Sequence, residues 1–166
     1  MNLFTRLATD VRLMLRRPER LQFAALCYRW NDARDGIDIL LITSRDTGRW
    51  VIPKGWPMEG KLAHQVAAQE ALEEVGVQGV ADRASAGDFM YLKALDSGVK
   101  VPCKVQVHGL EVSGFVAEFK EKGQRRKAWF SSREAAERVN EPGLKELIMS
   151  FEASMLARSD RTAARG

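Results

Sequence analysis

The chain has little sulfur and little imidazole, with two cysteines and two histidines in 166 residues. Cys27 and Cys103 stand apart, each in an apolar, strand-like stretch. That excludes a disulfide framework and a CxxC metal motif, and marks both as buried free thiols. His64 and His108 have no partner at ligand spacing, which excludes a histidine-built metal site and leaves each as a surface or loop residue. No apolar run approaches the ~18 residues that cross a bilayer. A membrane is therefore not an expected partner, and the expected location is the cytoplasm. Internal repeats and low-complexity linkers are missing as well, so one domain is the simplest organisation for this length.

What is present is a globular composition with an uneven charge. Hydrophobic residues make up 45% of the chain and the net charge is +4. So small an excess reads as solubility, and nucleic acid is not an expected partner. The cations cluster: Lys120, Lys122, Arg125, Arg126 and Lys127 form one group, and Arg45, Arg49 and Lys54 another. A polyanionic small molecule accounts for both groups. Nothing in the pattern decides between a monomer and a homodimer.

Residues 1–19 repeat Phe4, Leu7, Val11 and Met14 or Leu15 at helical spacing among arginines, and read as an amphipathic extension that ends at Pro18. Strands are expected over Gln22 to Trp30, Ile37 to Thr43, Trp50 to Ile52, Ala86 to Ala94, Lys100 to Val112 and Lys127 to Phe130. Helices are expected over Leu62 to Val75, over Ser132 to Val139 with Ser131 as cap, and from Pro142 to about Leu156. The domain thus spans 20–156, and the polar, basic residues 157–166 read as a disordered tail. Strands interspersed with helices, without regular βαβ spacing, predict an α/β (α+β) fold with a mixed sheet between helices.

The most informative stretch is Pro53 to Val77, PKGWPMEGKLAHQVAAQEALEEVGV. It runs from a Lys-Gly turn into a helix that stops at Gly76. At 3.6 residues per turn, Glu70, Glu73 and Glu74 fall within roughly a third of the circumference. Ala68, Ala71, Leu72 and Val75 take the opposite side, where they can dock on a core. Like charges one turn apart repel, and a bound cation reverses that sign. Hard oxygen ligands suit Mg²⁺ or Mn²⁺, which share their coordination shell with phosphates. A solvated acidic face is the plain alternative.

The segment resembles the Nudix box, G-x5-E-x7-R-E-U-x-E-E-x-G-U with U aliphatic. Gly55, Glu70, Glu73, Glu74 and Gly76 match in register, Val77 fills the last aliphatic position and Ala71 the earlier one. Lys61 stands where the family has a glutamate and Gln69 where it has arginine, and a Lys61–Gln69 hydrogen bond is the expected substitute for that ion pair. The resemblance extends over about residues 20 to 150. It is strongest for the bacterial branch similar to diphosphoinositol polyphosphate and diadenosine polyphosphate hydrolases, through TSRDTGRWVIPKGWP and RKAWFSSREAAERV. It implies an α/β/α sandwich and hydrolysis of a phosphoanhydride in a diphosphate- or polyphosphate-linked substrate.

On this reading Glu70 and Glu74, one turn apart, are the expected metal ligands, helped by the Gly55 carbonyl. Glu73 is the expected general base, and Glu70 and Glu73 can trade roles. Glu118 or Glu121 is a further candidate ligand from the later loop. Arg45, Arg49, Lys54 and Trp56 are candidate substrate-binding residues. Two other readings stand beside it: a pyrophosphatase of nucleoside triphosphates or nucleotide sugars, and a catalytically weak module that binds a nucleotide or an RNA 5′ end.

Overall fold

A computed structural model describes residues 19–166; the amphipathic extension expected over 1–19 lies almost wholly outside the described residues. The strands are β1 Arg20–Trp30, β2 Ile37–Thr43, β3 Trp50–Val51, β4 Lys54–Gly55, β5 Val77–Ala81, β6 Gly87–Ala94, β7 Lys100–Phe115 and β8 Lys127–Ser131. The helices are α1 Ala63–Val75, α2 Ser132–Arg138 and α3 Pro142–Ala163. All the strands join one mixed sheet of order β3-β2-β1-β7-β5, with β4 against β1, β6 against β7 and β8 against β2. Among the described strands only β1 and β7 run parallel, from Arg20 opposite Cys103 to Tyr28 opposite Glu111.

The sheet is covered on both faces, as the mixed α/β reading expects. One buried cluster joins Leu26, Tyr28, Ile39, Val105 and Val107 to Leu144, Ile148 and Phe151 of α3. The other joins Ala25, Cys27, Leu40, Ile42 and Leu110 to Ala67, Ala71 and Val75 of α1. Such burial is the main favourable term in folding, about 25 cal/mol per Å² of apolar surface. Both thiols are free and buried, as expected.

Local signals acted where the sequence put them. Gly76 closes α1 in the left-handed region at φ 73°, its N–H reaching the carbonyls of Ala71 and Leu72. At the other end Gln65 accepts from the Leu62 N–H at 2.8 Å. Ser131 accepts from the Glu134 N–H at 3.2 Å and so caps α2.

Four expectations are corrected. α3 continues to Ala163 rather than stopping near Leu156, taking up most of the tail expected to be disordered. The apolar stripe ends at Met155, but Ala, Arg and Ser prolong a helix without packing. His108 is a buried strand residue, not a surface or loop one. It lies 2.7 Å from the Asp82 carbonyl through Nδ1 and 2.9 Å from the Gln106 amide through Nε2, and those partners satisfy both ring nitrogens away from water. The docked face of α1 is Val66, Ala67, Ala71 and Val75, with Ala68 and Leu72 only half-buried. That turns Glu70 and Glu74 from the solvent side towards the edge of the sheet. Finally, Lys61 and Gln69 share no hydrogen bond among the described residues. Lys61 is exposed, and Gln69 donates instead to Glu73 Oε1 at 3.0 Å.

Candidate functional site

Three pieces of chain meet at one end of the β1–β2 pair. The first is the turn Lys54 to Met58, held by β4, where Gly55 pairs with Phe23 and Lys54 with Ala24. The second is the carboxylate side of α1. The third is the loop after β7, clamped to the helix by the Glu121 N–H donating to the Glu73 carbonyl at 2.9 Å. Between them lies a cavity of about 550 Å³. Five carboxylates (Asp46, Glu70, Glu73, Glu74, Glu121) and five cations (Arg45, Lys54, Lys93, Lys120, Arg125) line it, with Gly55 and Trp56. Charges of both signs on one concave wall suit a ligand that is itself anionic and needs a cation.

The three box glutamates are all at least partly buried, so a solvated acidic face is not what α1 presents. Burial, with help from Glu73 and Glu121, raises the Glu70 pKa. Burial also pushes Glu74 up from its ordinary 4.5 to about 7, although Arg125 and Lys54 pull it down. Lys54 is lowered by burial and held up by Glu74 and Glu141, with its ammonium 5.6 Å from the Tyr91 ring centre. Desolvation therefore works against both members of the Glu74–Lys54 pair, which is the environment in which acid–base groups are tuned.

Gly55 has a steric reason to be glycine: a Cβ there would run into the Glu70 carboxylate. The helix carboxylate and the turn backbone are thus in direct apposition, with no room for a side chain between them. Trp56 is 39% exposed, with the Lys93 ammonium 5.7 Å and the Arg20 guanidinium 6.0 Å from its ring.

The other candidates divide. Glu121 lines the cavity, whereas Glu118 is exposed and paired with Lys122 at 2.7 Å, away from it. Arg45 lines the cavity and pairs with Glu121 at 2.8 Å. Arg49 does not line it; its guanidinium pairs with the buried Glu141 at 3.0 Å. A second oxygen of Glu141 is buried with no partner.

Four charged lining residues, Asp46, Lys93, Lys120 and Arg125, escaped the sequence reading as site residues. Lys93 sits on β6, far along the chain, and no local signal marks it. Arg125 stood in a recognised basic cluster, but nothing distinguished it from its neighbours. Its Nη2 is 3.5 Å from Glu74 Oε1 and 3.4 Å from Glu121 Oε2, and its Nη1 donates to the Thr43 carbonyl at 3.1 Å.

Among the described residues no three His, Cys, Asp or Glu side chains are arranged as a ready metal-binding group. The donor chemistry nonetheless fits a hard divalent cation, being all oxygen and anionic, with two of the carboxyls raised in pKa chiefly by burial. The carboxylates share a wall but do not converge on one point, and the Arg125 guanidinium stands between two of them.

No family model matches the chain. Its sequence is similar to the protein called Nudix hydrolase 16, mitochondrial, of Arabidopsis thaliana, at 26% identity over 141 residues, 78% of each chain. Its fold is similar to that of a NUDIX hydrolase from Nitrosomonas europaea, with TM-score 0.62 and 22% identity over 82% of this chain and 90% of that one. It is likewise similar to the C. elegans Ap4A hydrolase, with TM-score 0.60 and 18% identity over 83% of this chain and 99% of the other. The motif is in register along α1 with its glycine turn opposed to Glu70, and over most of its length the chain is similar to Nudix hydrolases in sequence and in fold.

Proposed function

We propose that the protein hydrolyses a phosphoanhydride bond in a diphosphate- or polyphosphate-linked small molecule, of the dinucleoside polyphosphate or diphosphoinositol polyphosphate type, with Mg²⁺ or Mn²⁺. The observation that carries this reading is the single cavity in which Glu70, Glu73 and Glu74 face Arg45, Lys54 and Lys93. Glu70 and Glu74 would hold the divalent ion, with Glu121 and the Gly55 carbonyl as further oxygen donors. When bound, the ion supplies Lewis-acid activation of water and neutralises charge on the phosphates.

The chain's own groups do the rest. Glu73 is the general base, and the Gln69 amide that donates to it at 3.0 Å fixes its carboxylate. Glu73 takes a proton from the attacking water, the water oxygen bonds to phosphorus, and the bridging P–O bond breaks to release a phosphate-terminated product. Arg45, Lys54 and Lys93 bind phosphate oxygens and stabilise the charge that builds there. Trp56 forms the cavity mouth beside them. No described helix is long and apolar enough to cross a membrane.

A panel of diadenosine polyphosphates, inositol pyrophosphates, nucleotide sugars and nucleoside triphosphates, run with Mg²⁺ and with Mn²⁺, tests the reading. Metal-dependent turnover of one class supports it and names the class. Turnover of none, with tight binding that ignores metal, supports instead a catalytically weak nucleotide-binding module. One observation favours that second reading: Glu74 and Glu121 are already partnered by Arg125.

A further inference from the structure

We infer that Arg125 is a built-in counter-cation of the carboxylate cluster, holding Glu74 and Glu121 in the metal-free protein and competing with a divalent ion for them. The inference rests on the metal-dependent reading of the same site. It assigns the role to a residue outside the motif, on the far loop.

Placement is the first argument. The guanidinium reaches Glu74 at 3.5 Å and Glu121 at 3.4 Å while donating to the Thr43 carbonyl at 3.1 Å, so it ties α1, the loop and the end of β2 together. Its side chain is 10% exposed, against 11% for Glu74 and 13% for Glu121. A surface arginine that happened to fold over would not be so enclosed. Backbone contacts bring the loop there: Glu121 is anchored to the Glu73 carbonyl, and the Arg126 N–H donates to Thr43 Oγ1 at 2.9 Å.

Charge is the second. Arg45 takes the other oxygen of Glu121 at 2.8 Å, so both oxygens of that carboxylate are committed to arginine. A divalent ion at Glu74 and the Arg125 guanidinium beside the same carboxylate work against each other, since like charges a few ångströms apart repel strongly where water is scarce. Arginine stays protonated at any ordinary pH, so deprotonation offers no way out. Release must be a movement of the side chain. Arg125 therefore weakens metal binding, and keeps the acids gathered when no metal is bound.

Mn²⁺ binding to the full chain, followed by electron paramagnetic resonance of the free ion, tests this without any substrate. Arg125→Gln is expected to bind Mn²⁺ on the order of tenfold more tightly than the natural chain. In the natural chain, phenylglyoxal labelling of Arg125, read by peptide mass spectrometry, is expected to be slow without metal and several-fold faster with saturating Mn²⁺. Equal or weaker Mn²⁺ binding by Arg125→Gln overturns the inference while leaving the metal-dependent reading intact. Failure of both proteins to bind Mn²⁺ overturns the two together. If Arg125→Gln does not fold, the labelling decides alone, and a rate indifferent to Mn²⁺ overturns the inference.

Discussion

The two faces of the sheet are packed with different materials. On the α3 face Leu26 and Tyr28 of the sheet meet Ile148 and Phe151 of the helix, all bulky, with the Tyr28 and Phe151 rings edge-on at 5.2 Å. On the α1 face the helix itself contributes Ala67, Ala71 and Val75, and the sheet sets the small Ala25 and Cys27 beside Leu40, Ile42 and Leu110. Larger side chains remove more apolar area from water, so the α3 face is expected to supply more of the stability. Alanines put little bulk between helix and sheet, which seats α1 close to the strands and lets Glu70 meet the backbone of β4. The α1 face thus gives up burial in favour of position, and it also carries the buried carboxyls that work against stability. Stability and chemistry are separated across one sheet.

Glu74→Gln is the sharpest test of that separation. Metal-dependent turnover should fall more than about a hundredfold, because losing even an outer partner of a metal ligand costs about 10–100-fold. The metal-free variant should stay folded, and its pH response should change. The natural carboxyl is raised from 4.5 to about 7 in the fold, so its favourable contribution is complete below pH 4.5 and lost as pH rises through 7. Denaturant titrations at about pH 5 and about pH 8 should show the natural chain losing stability across that window more than the variant. Identical losses would mean that Glu74 is not the strained group.

On the opposite face, Ile148→Ala should cost about 2–5 kcal/mol by denaturant unfolding and leave kcat per folded molecule unchanged. A matching drop in kcat would show that the faces are coupled. Gly55→Ala falls between the two. The new methyl group meets the movable end of Glu70, so unfolding should shift by no more than about 1–3 kcal/mol. Displacing that carboxylate should lower kcat about ten- to a hundredfold. Lys61→Glu should do least: the residue is exposed and off the cavity, so turnover should stay within about threefold. A large gain would reveal that Lys61 mis-sets the helix.

The site was legible where it is contiguous. Glu70, Glu73 and Glu74 share a helix side because of a fixed period, and Gly76 ends that helix in the left-handed region. Reading failed where a contact spans the fold. Arg49 belongs to Glu141 instead of the cavity, though it looked as eligible as Arg45. The orientation of α1 was also misjudged, since periodicity marks an apolar arc but not which part of it the sheet covers.

By itself, the sequence determined six of the eight described strands, the three described helices, the mixed sheet between helices and the acidic motif, since periodicity, caps and spacing act over a few residues; β4 and β5 were not foreseen. Only the tertiary structure decided that Lys93 and Arg125 join that motif, that Gln69 serves Glu73 and not Lys61, and that His108 is buried. Those outcomes depend on distances between segments remote along the chain, and such distances are set by how α1, β6 and the loop after β7 pack on the sheet.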